Sequence, residues 1–311
     1  MKVFVFGGTG YIGKHVIVKL VEAGHTVDAF ARSEGSKPAL SAIGARTVVG
    51  DVMNAATYEA AVRQADAVIW SAQLMHAEEH SVVSSLLGLL KGGNKTFIFT
   101  GGASLLSIRT DGDWLDKTFK EDDEFVPRRQ IAPRLEVEKM VRAESGVRAM
   151  CIRPPLVWGN GGSKVIADMY HSAKKTGSVC YVGRGLNCYS NVHVEDLADL
   201  YVLALQKGIA GALYHAVSGE LNYRSMAEAI ARKLKLSTRG VTVEEAIQVW
   251  DRFTGPIVFS SCSRTVSPRA RAELGWAPKP ERLDIFADCA SPAYDTPEER
   301  ALPAWVSPGA Q

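Results

Sequence analysis

Several features that would place a chain in a specialised class are missing from this 311-residue sequence. It contains no run of about 18 apolar residues, so it predicts no membrane-spanning helix. The formal net charge is +2 and neither sign collects in a long block, which argues against a surface for nucleic acid or an anionic membrane. Gly and Pro, with 28 and 13 residues, are too few for a disordered or collagen-like chain. These absences leave an ordinary globular fold with a sizeable core as the expected class of structure.

Cysteine is scarce and unpatterned. The five thiols, at positions 151, 180, 188, 262 and 289, form no C-x-x-C pair and no metal-ligand spacing. Their odd number fits a reducing compartment better than a disulfide framework. The first apolar run, Val3–Phe6, is too short for the core of a signal peptide. We therefore expect a cytoplasmic protein with no metal site, no membrane contact and no nucleic-acid partner.

Short apolar runs alternate with amphipathic stretches over the first half of the chain. Short buried strands that alternate with helices require right-handed crossovers, and these produce a parallel sheet with helices on both faces. The pattern therefore predicts an α/β fold with a doubly wound parallel sheet. The predicted strands are Val3–Phe6, Thr26–Ala31, Arg46–Val49, Ala67–Trp70 and Thr96–Phe99, and the predicted helices are 12–23, 57–64 and 80–91.

The elements become less regular beyond residue 106. The segment 107–130 is charged and lacks an apolar period, which predicts an exposed loop. Ser267 is expected to cap a short helix that has Pro268 at its first position. The other predicted elements are helices 133–144, 163–175, 195–207, 224–235, 243–250 and Ser267–Leu274, and strands Val147–Arg153, 179–182 and 190–193.

A glycine turn follows the first predicted strand. Gly7, Gly10 and Gly13 stand at i, i+3 and i+6, where a helix begins. The first glycine permits a tight turn, the second lets the backbone approach a pyrophosphate, and the third lets the helix pack closely on the sheet. A glycine turn can also be purely structural. Its place between a strand and a helix at the start of an α/β pattern favours dinucleotide binding.

This turn assigns residues 1–158 to a dinucleotide-binding Rossmann domain. The elements over 159–290 predict a smaller, mixed, substrate-binding part, and the chain has room to return to the first domain near 183–215. Residues 291–311 contain four prolines and little periodicity. They predict a flexible tail or one that lies on the surface.

The end of the second predicted strand selects the cofactor. An acidic side chain there would accept from a ribose 2′-hydroxyl, whereas a cation would pair with a 2′-phosphate. Asp28 lies too early in this strand, and Arg32 with Ser33 closes it, so we expect NADP (NADPH). A solvated surface role for Arg32 is the alternative. After the third strand, the Asp51 carboxylate either accepts from the adenine amino group or caps a turn.

Six motifs follow the glycine turn in order. They are Gly50-Asp51-Val52, the strands Ala65–Ala72 and Phe97–Thr100, Arg153–Gly159, which is similar to an RPxxVYG pattern, Val192–Ala198 and Glu273–Pro278. Together they resemble the extended and atypical short-chain dehydrogenase/reductase superfamily. The resemblance implies a Rossmann fold and a nicotinamide cofactor. It also implies that the cofactor contacts Gly7, Thr9, Gly10, Tyr11, Ile12, Gly13, Arg32, Ser33, Asp51, Val52, Ser71, Thr100, Arg134 and Pro154.

The catalytic signature departs from that superfamily. Its reductases use a Tyr-x-x-x-Lys pair, in which the lysine lowers the tyrosine pKa and holds the nicotinamide ribose while the tyrosine transfers a proton. Glu138 matches the glutamate four residues after that lysine, which puts Arg134 at the lysine position and Gln130 at the tyrosine position. Arg134 can still bind a ribose. The Gln130 amide does not titrate near neutrality and cannot deliver a proton.

Other polar side chains near the predicted site are candidates for the missing roles. The serine or threonine that polarises the carbonyl in the superfamily matches Gly102, with Thr100 and Ser104 beside it, although such hydroxyls often cap backbone. His76 and His80, predicted in the loop after the fourth strand, titrate in the range that proton transfer needs. The predicted catalytic set is therefore Arg134, Gln130, Ser104 and His76.

Three residues of the second half are weaker candidates. Tyr189 and His193 lie on a segment that approaches the cleft in relatives, and His193 is expected mainly as a structural hydrogen-bonding residue. Trp158 stands where relatives have tyrosine and is expected in the core.

Three functions are compatible with this pattern. The first is an NADP-dependent oxidoreductase acting on a small organic carbonyl or enone with a non-standard catalytic site. The second is a redox-neutral isomerase, dehydratase or lyase, which the loss of the tyrosine favours. The third is a non-catalytic NAD(P)-sensing protein. We expect the first, an atypical short-chain reductase or dehydrogenase that acts on a small-molecule substrate as a monomer or homodimer.

Overall fold

The computed structural model describes residues 1–295. The strands are β1 (Lys2–Phe6), β2 (Thr26–Ala31), β3 (Ala45–Val49), β4 (Ala67–Trp70), β5 (Thr96–Thr100), β6 (Ile108–Arg109), β7 (Thr118–Phe119), β8 (Arg148–Arg153), β9 (Leu156–Trp158), β10 (Ser178–Val182), β11 (Cys188–His193), β12 (Leu213–His215), β13 (Gly219–Asn222), β14 (Ser237–Val241), β15 (Ser261–Cys262) and β16 (Arg264–Thr265). The helices are α1 (Tyr11–Glu22), α2 (Lys37–Ala42), α3 (Glu59–Gln64), α4 (His76–Leu90), α5 (Ala132–Ala143), α6 (Lys164–Thr176), α7 (Val194–Lys207), α8 (Tyr223–Leu234), α9 (Val243–Val249), α10 (Pro268–Leu274) and α11 (Ile285–Cys289).

Seven strands form one central sheet. Their order across it is β12-β8-β5-β4-β1-β2-β3, and every neighbouring pair is parallel. The predicted doubly wound α/β fold is confirmed. Because the strands are parallel, the turns that follow β1, β4, β5 and β8 all lie at the same carboxyl edge, where ligands bind in this fold.

Side chains alternate between the two faces of the sheet, as the two-residue period of a strand requires. On β1, Val3 and Val5 belong to a core with α1, α7 and α10, whereas Phe4 and Phe6 belong to a core with α3, α4 and α5. All four side chains are fully buried. A strand covered on both faces reads as a continuous apolar run, which is what the sequence shows.

A third core lies in the C-terminal half. It gathers side chains of α6, α8 and α9 around the parallel pair β10 and β14. Next to it, β11 pairs with β9 and β13 in a three-stranded sheet. The chain also returns to the central sheet, where α7 packs on α1 and β12 pairs with β8. The domain bounds given above stay a prediction.

The charged segment 107–130 is not a simple exposed loop. It contains β6, which pairs with β15, and β7, which pairs with β16. Glu121 in this segment is buried, and its Oε1 accepts a hydrogen bond from the His215 backbone N–H (3.3 Å) at the end of β12. Burial raises the pKa of Glu121. Two-residue strands are too short to show an apolar period, so the pattern could not reveal these contacts.

Two local predictions are wrong, and a third, on the C-terminal tail, stays a prediction. His76, expected in a loop, is the first residue of α4. Ser267 does not cap α10, because its Oγ donates instead to the Val217 carbonyl oxygen (3.4 Å), although Pro268 does open that helix. The beginning of the expected tail is packed, since Tyr294 is buried. The other three prolines of that tail, at positions 297, 303 and 308, lie outside the described residues.

Candidate active site

The glycine turn after β1 combines two tightly packed glycines with one that faces open space. Gly7 has φ +80°, and a Cβ there would lie 2.6 Å from the Ser71 carbonyl carbon. A Cβ on Gly13 would lie 2.1 Å from the Gly7 carbonyl oxygen, so α1 can approach β1 only without a side chain there. Gly10 has an ordinary φ of −78°, and a Cβ on it would meet a single atom within 4 Å, the Gly7 oxygen at 3.2 Å. At Gly10, the second glycine of the motif, a Cβ would therefore need only a small shift of the Gly7 oxygen.

The N-terminus of α1 next to Gly10 suits a pyrophosphate. No side chain caps this helix, and no acidic residue stands in its first turn. Backbone N–H groups in a first turn lack intrahelical acceptors, and the helix dipole favours an anion there. The open space at Gly10 and these N–H groups fit the pyrophosphate of a dinucleotide, with the exposed Thr9 at the rim of the turn.

Tyr11 and Ile12, also predicted to contact the cofactor, connect the turn to the rest of the protein. The Tyr11 hydroxyl donates to the Gly159 carbonyl oxygen (2.6 Å), and a Cβ on Gly162 would lie 1.8 Å from the Tyr11 ring. The Asp288 carboxylate holds the same loop by accepting from the Gly159 N–H (2.9 Å). Ile12 packs against the core that contains α7. The glycine turn is thus attached to the loop that follows β9.

Arg32 and Ser33 follow β2, and both are exposed. Within residues 1–295, no ion pair or hydrogen bond engages the Arg32 guanidinium. Asp28, by contrast, is fully buried, and its two carboxylate oxygens accept from the Arg46 guanidinium (2.8 and 2.7 Å). The Lys2 ammonium adds a contact at 3.5 Å. Asp28 is therefore committed to the fold, whereas Arg32 is available to a phosphate at the end of β2.

Asp51 and Val52 lie in the turn after β3. Asp51 is exposed, and its Oδ1 accepts from the Met53 backbone N–H (2.9 Å), which is the pattern of an Asx turn. The Val52 carbonyl oxygen accepts from the Tyr58 hydroxyl (3.0 Å). Burial raises the pKa of Tyr58, and the Asp51 charge adds to the shift. Asp51 thus serves the turn, and its contact with adenine stays a prediction.

Ser71, Thr100 and Pro154 end or follow β4, β5 and β8 at the carboxyl edge. The Ser71 hydroxyl donates to the Phe6 carbonyl oxygen (2.8 Å), and the Thr100 Oγ1 lies 2.6 Å from the Tyr201 hydroxyl. Pro154 is buried. Burial raises the pKa of Tyr201, so its hydroxyl stays protonated. The two predicted hydroxyls therefore already have protein partners.

Arg134, near the start of α5, is bound to a residue that sequence reasoning missed. Its Nη2 donates to the Thr100 carbonyl oxygen (2.9 Å) and to Glu79 Oε1 (3.3 Å), and its Nε lies 3.2 Å from Glu79 Oε2. Glu79 on α4 is buried and also accepts from the Trp70 indole N–H (3.1 Å). A signal was present, since Glu79 falls on the helical stripe of buried residues that continues with Val82, Val83, Leu86, Leu87 and Leu90.

Gln130, which matches the superfamily's tyrosine in the sequence, lies beside the imidazole of His76. His76 Nε2 lies 3.3 Å from the Gln130 carbonyl oxygen, and the Gln130 residue is exposed in the turn before α5. Burial lowers the pKa of His76, the Gln130 carbonyl opposes this shift, and the Arg134 charge adds to it. The structure therefore brings His76, Gln130 and Arg134 together. It does so through the Gln130 backbone, because the residue itself offers no titratable group.

Ser104 lies close to the position that matches the superfamily's serine or threonine. It belongs to the short 3-10 turn Ala103–Leu106, and a Cβ on Gly102 would be 3.5 Å from the Ser104 Oγ. A hydroxyl thus stands next to Gly102 although the sequence has none at that position. The second half of the chain holds this turn, because the Ser263 hydroxyl donates to the Ala103 carbonyl oxygen (2.8 Å).

The weaker candidates have structural surroundings. Tyr189 is buried, and burial raises its pKa to about 12. His193 caps α7 by accepting from the Glu195 N–H at Nδ1 (3.2 Å). Trp158 is buried and donates from its indole to Asn191 Oδ1 (2.9 Å). His80 is exposed on α4. Within the described residues, none of these four side chains contacts the turn at Gln130, whereas His76 does.

Residues 1–295 lack two kinds of feature. No group of three or more His, Cys, Asp or Glu side chains could hold a metal ion there. No helix of that part is both long enough and apolar enough to cross a membrane.

Comparisons with known proteins agree with the glycine turn and the sheet. Residues 7–181 match the family described as NAD(P)H-binding. An uncharacterized protein of Schizosaccharomyces pombe is 32% identical over 305 residues, which cover 94% of this chain and 100% of that protein. The sterol-4-alpha-carboxylate 3-dehydrogenase, decarboxylating, of Dictyostelium discoideum is 25% identical over 256 residues, which cover 76% of this chain and 77% of the dehydrogenase.

A solved structure shares the fold. The dTDP-glucose 4,6-dehydratase of Bacillus anthracis, in complex with NAD, superimposes with a TM-score of 0.73 and 17% identity, over 93% of this chain and 95% of that one. The expected superfamily and the class of NAD(P)-dependent enzyme are thereby confirmed, at a level that does not separate NADP from NAD. This chain belongs to the NAD(P)H-binding family, within the extended short-chain dehydrogenase/reductase superfamily.

Proposed function

We propose that this protein is an NADP(H)-dependent oxidoreductase that reduces a small organic carbonyl or enone. One observation carries the choice of cofactor, which is the exposed Arg32 at the end of β2, next to a phosphate turn whose Gly10 faces open space. A guanidinium pairs well with a 2′-phosphate, and the carboxylate that could have selected NAD, Asp28, is already held by Arg46.

Each part of the crevice has a role in this proposal. The N-terminus of α1 and the turn Gly7–Gly13 bind the pyrophosphate, and Arg32 with Ser33 binds the 2′-phosphate. Arg134 donates to the nicotinamide ribose from Nη1, the guanidinium nitrogen that has no bond to Glu79 or Thr100. NADPH, when bound, supplies the hydride.

Ser104 and His76 serve the substrate end of the crevice. The Ser104 hydroxyl donates to the substrate carbonyl oxygen from beside Gly102 and so polarises it. His76, or water that reaches the turn at Gln130, provides the proton that the missing tyrosine would have given. Because burial lowers the pKa of His76, its imidazole is mostly neutral at pH 7, and proton delivery improves as the pH falls.

The dehydrogenase of Dictyostelium discoideum supports an oxidoreductase, since its name describes oxidation of a sterol derivative. The redox-neutral alternative, an isomerase, dehydratase or lyase, has one observation in its favour, which is an amide at the tyrosine position. The third alternative, a non-catalytic NAD(P)-sensing protein, disagrees with the enzyme class of the relatives. We further propose that the protein works in the cytoplasm, as a monomer or homodimer, on a small-molecule substrate.

Calorimetry of the wild type with NADPH and NADH tests the cofactor. A charge-assisted contact contributes about 1.5–3 kcal/mol, so we expect roughly tenfold or greater preference for NADPH. Arg32→Ala should remove this preference, whereas Arg252→Ala, which removes an exposed arginine of the C-terminal half, should keep it. Equal affinities of the wild type for the two cofactors would exclude the NADP assignment.

Turnover separates the three functions. Incubation with NADPH and a panel of aldehydes, ketones and enones should show loss of NADPH absorbance with a reduced product. A substrate that rearranges or loses water with no net NADPH consumption would establish the redox-neutral alternative. Tight NADPH binding with no turnover of any compound would favour the sensing protein.

A further inference from the structure

Glu79 is a buried carboxylate with an unusual set of partners. It is 1% exposed and lies on α4, a helix that otherwise buries aliphatic side chains. Its Oε1 accepts from the Trp70 indole N–H (3.1 Å) and from Arg134 Nη2 (3.3 Å). Its Oε2 lies 3.2 Å from Arg134 Nε. A carboxylate in such a place is costly unless it is paired and hydrogen-bonded, so the pair with Arg134 is the reason that it can stay there.

The same contacts orient the guanidinium of Arg134. Its Nε and Nη2 face Glu79, and Nη2 also donates to the Thr100 carbonyl oxygen at the end of β5 (2.9 Å). Within the described residues, Nη1 has no hydrogen-bond acceptor, and 12% of the side chain is exposed. Nε makes an ion-pair contact with Glu79 but no hydrogen bond. Because a guanidinium is planar and rigid, this contact and the two hydrogen bonds of Nη2 together determine the direction of Nη1.

We propose that Glu79 is a positioning residue that acts through Arg134 and directs Arg134 Nη1 at the nicotinamide ribose. This inference rests on the proposed function, in which Arg134 takes the place of the superfamily's lysine. A lysine offers a compact charge on a flexible stem, whereas an arginine binds in one direction only and needs a fixed partner. Glu79 is that partner, and Trp70 holds the carboxylate in turn.

Binding measurements with two ligands test the proposal without a known substrate. NADPH contains the nicotinamide ribose, whereas 2′,5′-ADP contains only the adenosine half with its 2′-phosphate. Glu79→Gln keeps the size and the acceptor for Trp70 but removes the charge and one acceptor for Arg134. We expect it to weaken NADPH binding about tenfold and to leave 2′,5′-ADP binding within about twofold of the wild type.

Glu138→Gln is the matched control. Glu138 is 1% exposed, lies one helical turn after Arg134 on α5 and pairs with Arg153 (2.8 Å) rather than with Arg134. Both substitutions break a buried ion pair and should lower the melting temperature. Only Glu79→Gln should change the ratio of the NADPH to the 2′,5′-ADP dissociation constant. A general loss of structure would weaken the binding of both ligands in both variants.

Arg134→Lys provides a second variant if Glu79→Gln folds poorly. It keeps a cation opposite Glu79 and removes the planar fork, so we expect weaker NADPH binding with 2′,5′-ADP binding retained. Adding Glu79→Gln to Arg134→Lys should then cost little more, because the two residues act as one unit. Normal NADPH affinity in Glu79→Gln or in Arg134→Lys would overturn the positioning role alone. A wild type that binds neither ligand would overturn the proposed function, and this inference with it.

Discussion

The glycine turn Gly7–Gly13 and the beginning of α5 lie at the same edge of the sheet, but they are built in opposite ways. The turn works through backbone, and its requirements are steric, as the 2.1 Å between a Cβ on Gly13 and the Gly7 oxygen shows. The beginning of α5 works through side chains, and Arg134 depends on Glu79, which is 55 residues away in the chain. The first region keeps the superfamily's pattern, whereas the second has lost both residues of its signature.

The difference shows why the two regions tolerate change differently. A backbone site admits one residue type at each tight position, since any Cβ would collide. A side-chain site can exchange its residues if another element supplies the missing partner. In the proposed function, the helix α4 supplies Glu79 and His76, and the turn after β5 supplies Ser104 beside Gly102, which has no hydroxyl.

The largest effect that we expect is in the backbone region. Gly10→Val should reduce NADPH binding by more than about a hundredfold in a folded protein, because its side chain would occupy the space that the pyrophosphate needs. The φ of −78° and the single neighbour at 3.2 Å allow the variant to fold. Calorimetry and circular dichroism would check both statements.

Substitutions at two other glycines serve as controls for that result. Gly88→Val on the exposed side of α4, where a Cβ would meet nothing within 4 Å, should bind NADPH normally. Gly13→Val should lower the stability of the fold, because its Cβ would lie 2.1 Å from the Gly7 carbonyl oxygen and the backbone would have to move. If Gly10→Val bound NADPH as the wild type does, the turn would be purely structural, and the contrast between the backbone region and the side-chain region would not hold.

A smaller effect is expected in the side-chain region. Arg134→Ala should lower kcat/KM by about a hundredfold, because a nicotinamide displaced by about 1 Å leaves the geometry for hydride transfer. Gln130→Ala should retain measurable turnover, since an amide can orient a substrate but not exchange its proton. Steady-state kinetics with NADPH and an active substrate would measure both. An inactive Gln130→Ala beside a nearly normal Arg134→Ala would show that the register assigned to α5 is wrong.

The smallest effect concerns acid, which should lower stability in part through a buried imidazole at the far end of the sheet. His215 on β12 is fully buried, its Nδ1 lies 3.0 Å from the Val266 carbonyl oxygen, and burial lowers its pKa to about 4. The unfolded chain binds the proton first, near pH 6.5, so this group leaves stability constant above that pH. Stability then falls, by up to about 1.4 kcal/mol per pH unit, as the pH drops towards 4.

Urea denaturation at a series of pH values would measure this loss. His215→Gln should reduce the slope between pH 6.5 and 4, whatever it does to stability at pH 7. It should not abolish the slope, because burial also lowers the pKa of His15 on α1 to about 4. His171→Gln, which changes an exposed imidazole, should leave the slope as it is in the wild type. An unchanged slope in His215→Gln would show that other groups carry the acid sensitivity.

Much of the first half could be predicted because its signals are local. The strand Ala67–Trp70 has the predicted bounds, and α1 begins one residue before its predicted start. Two buried faces make each central strand a short apolar run, and the tight contact between Gly13 and Gly7 lies within one short segment of the chain. The seventh strand, β12, was not predicted, since three residues give no period and its partner β8 lies far back in the chain.

The sequence by itself determined the doubly wound sheet, the phosphate turn and the absence of the tyrosine and lysine. Apolar period, glycine geometry and residue identity are properties of neighbouring positions, and they can be read without knowing what packs against them. Only the tertiary structure decided that Arg134 pairs with Glu79 and that His76 lies beside Gln130. Those contacts join separate elements, and their distances exist only once the crossovers have brought the elements to one edge of the sheet.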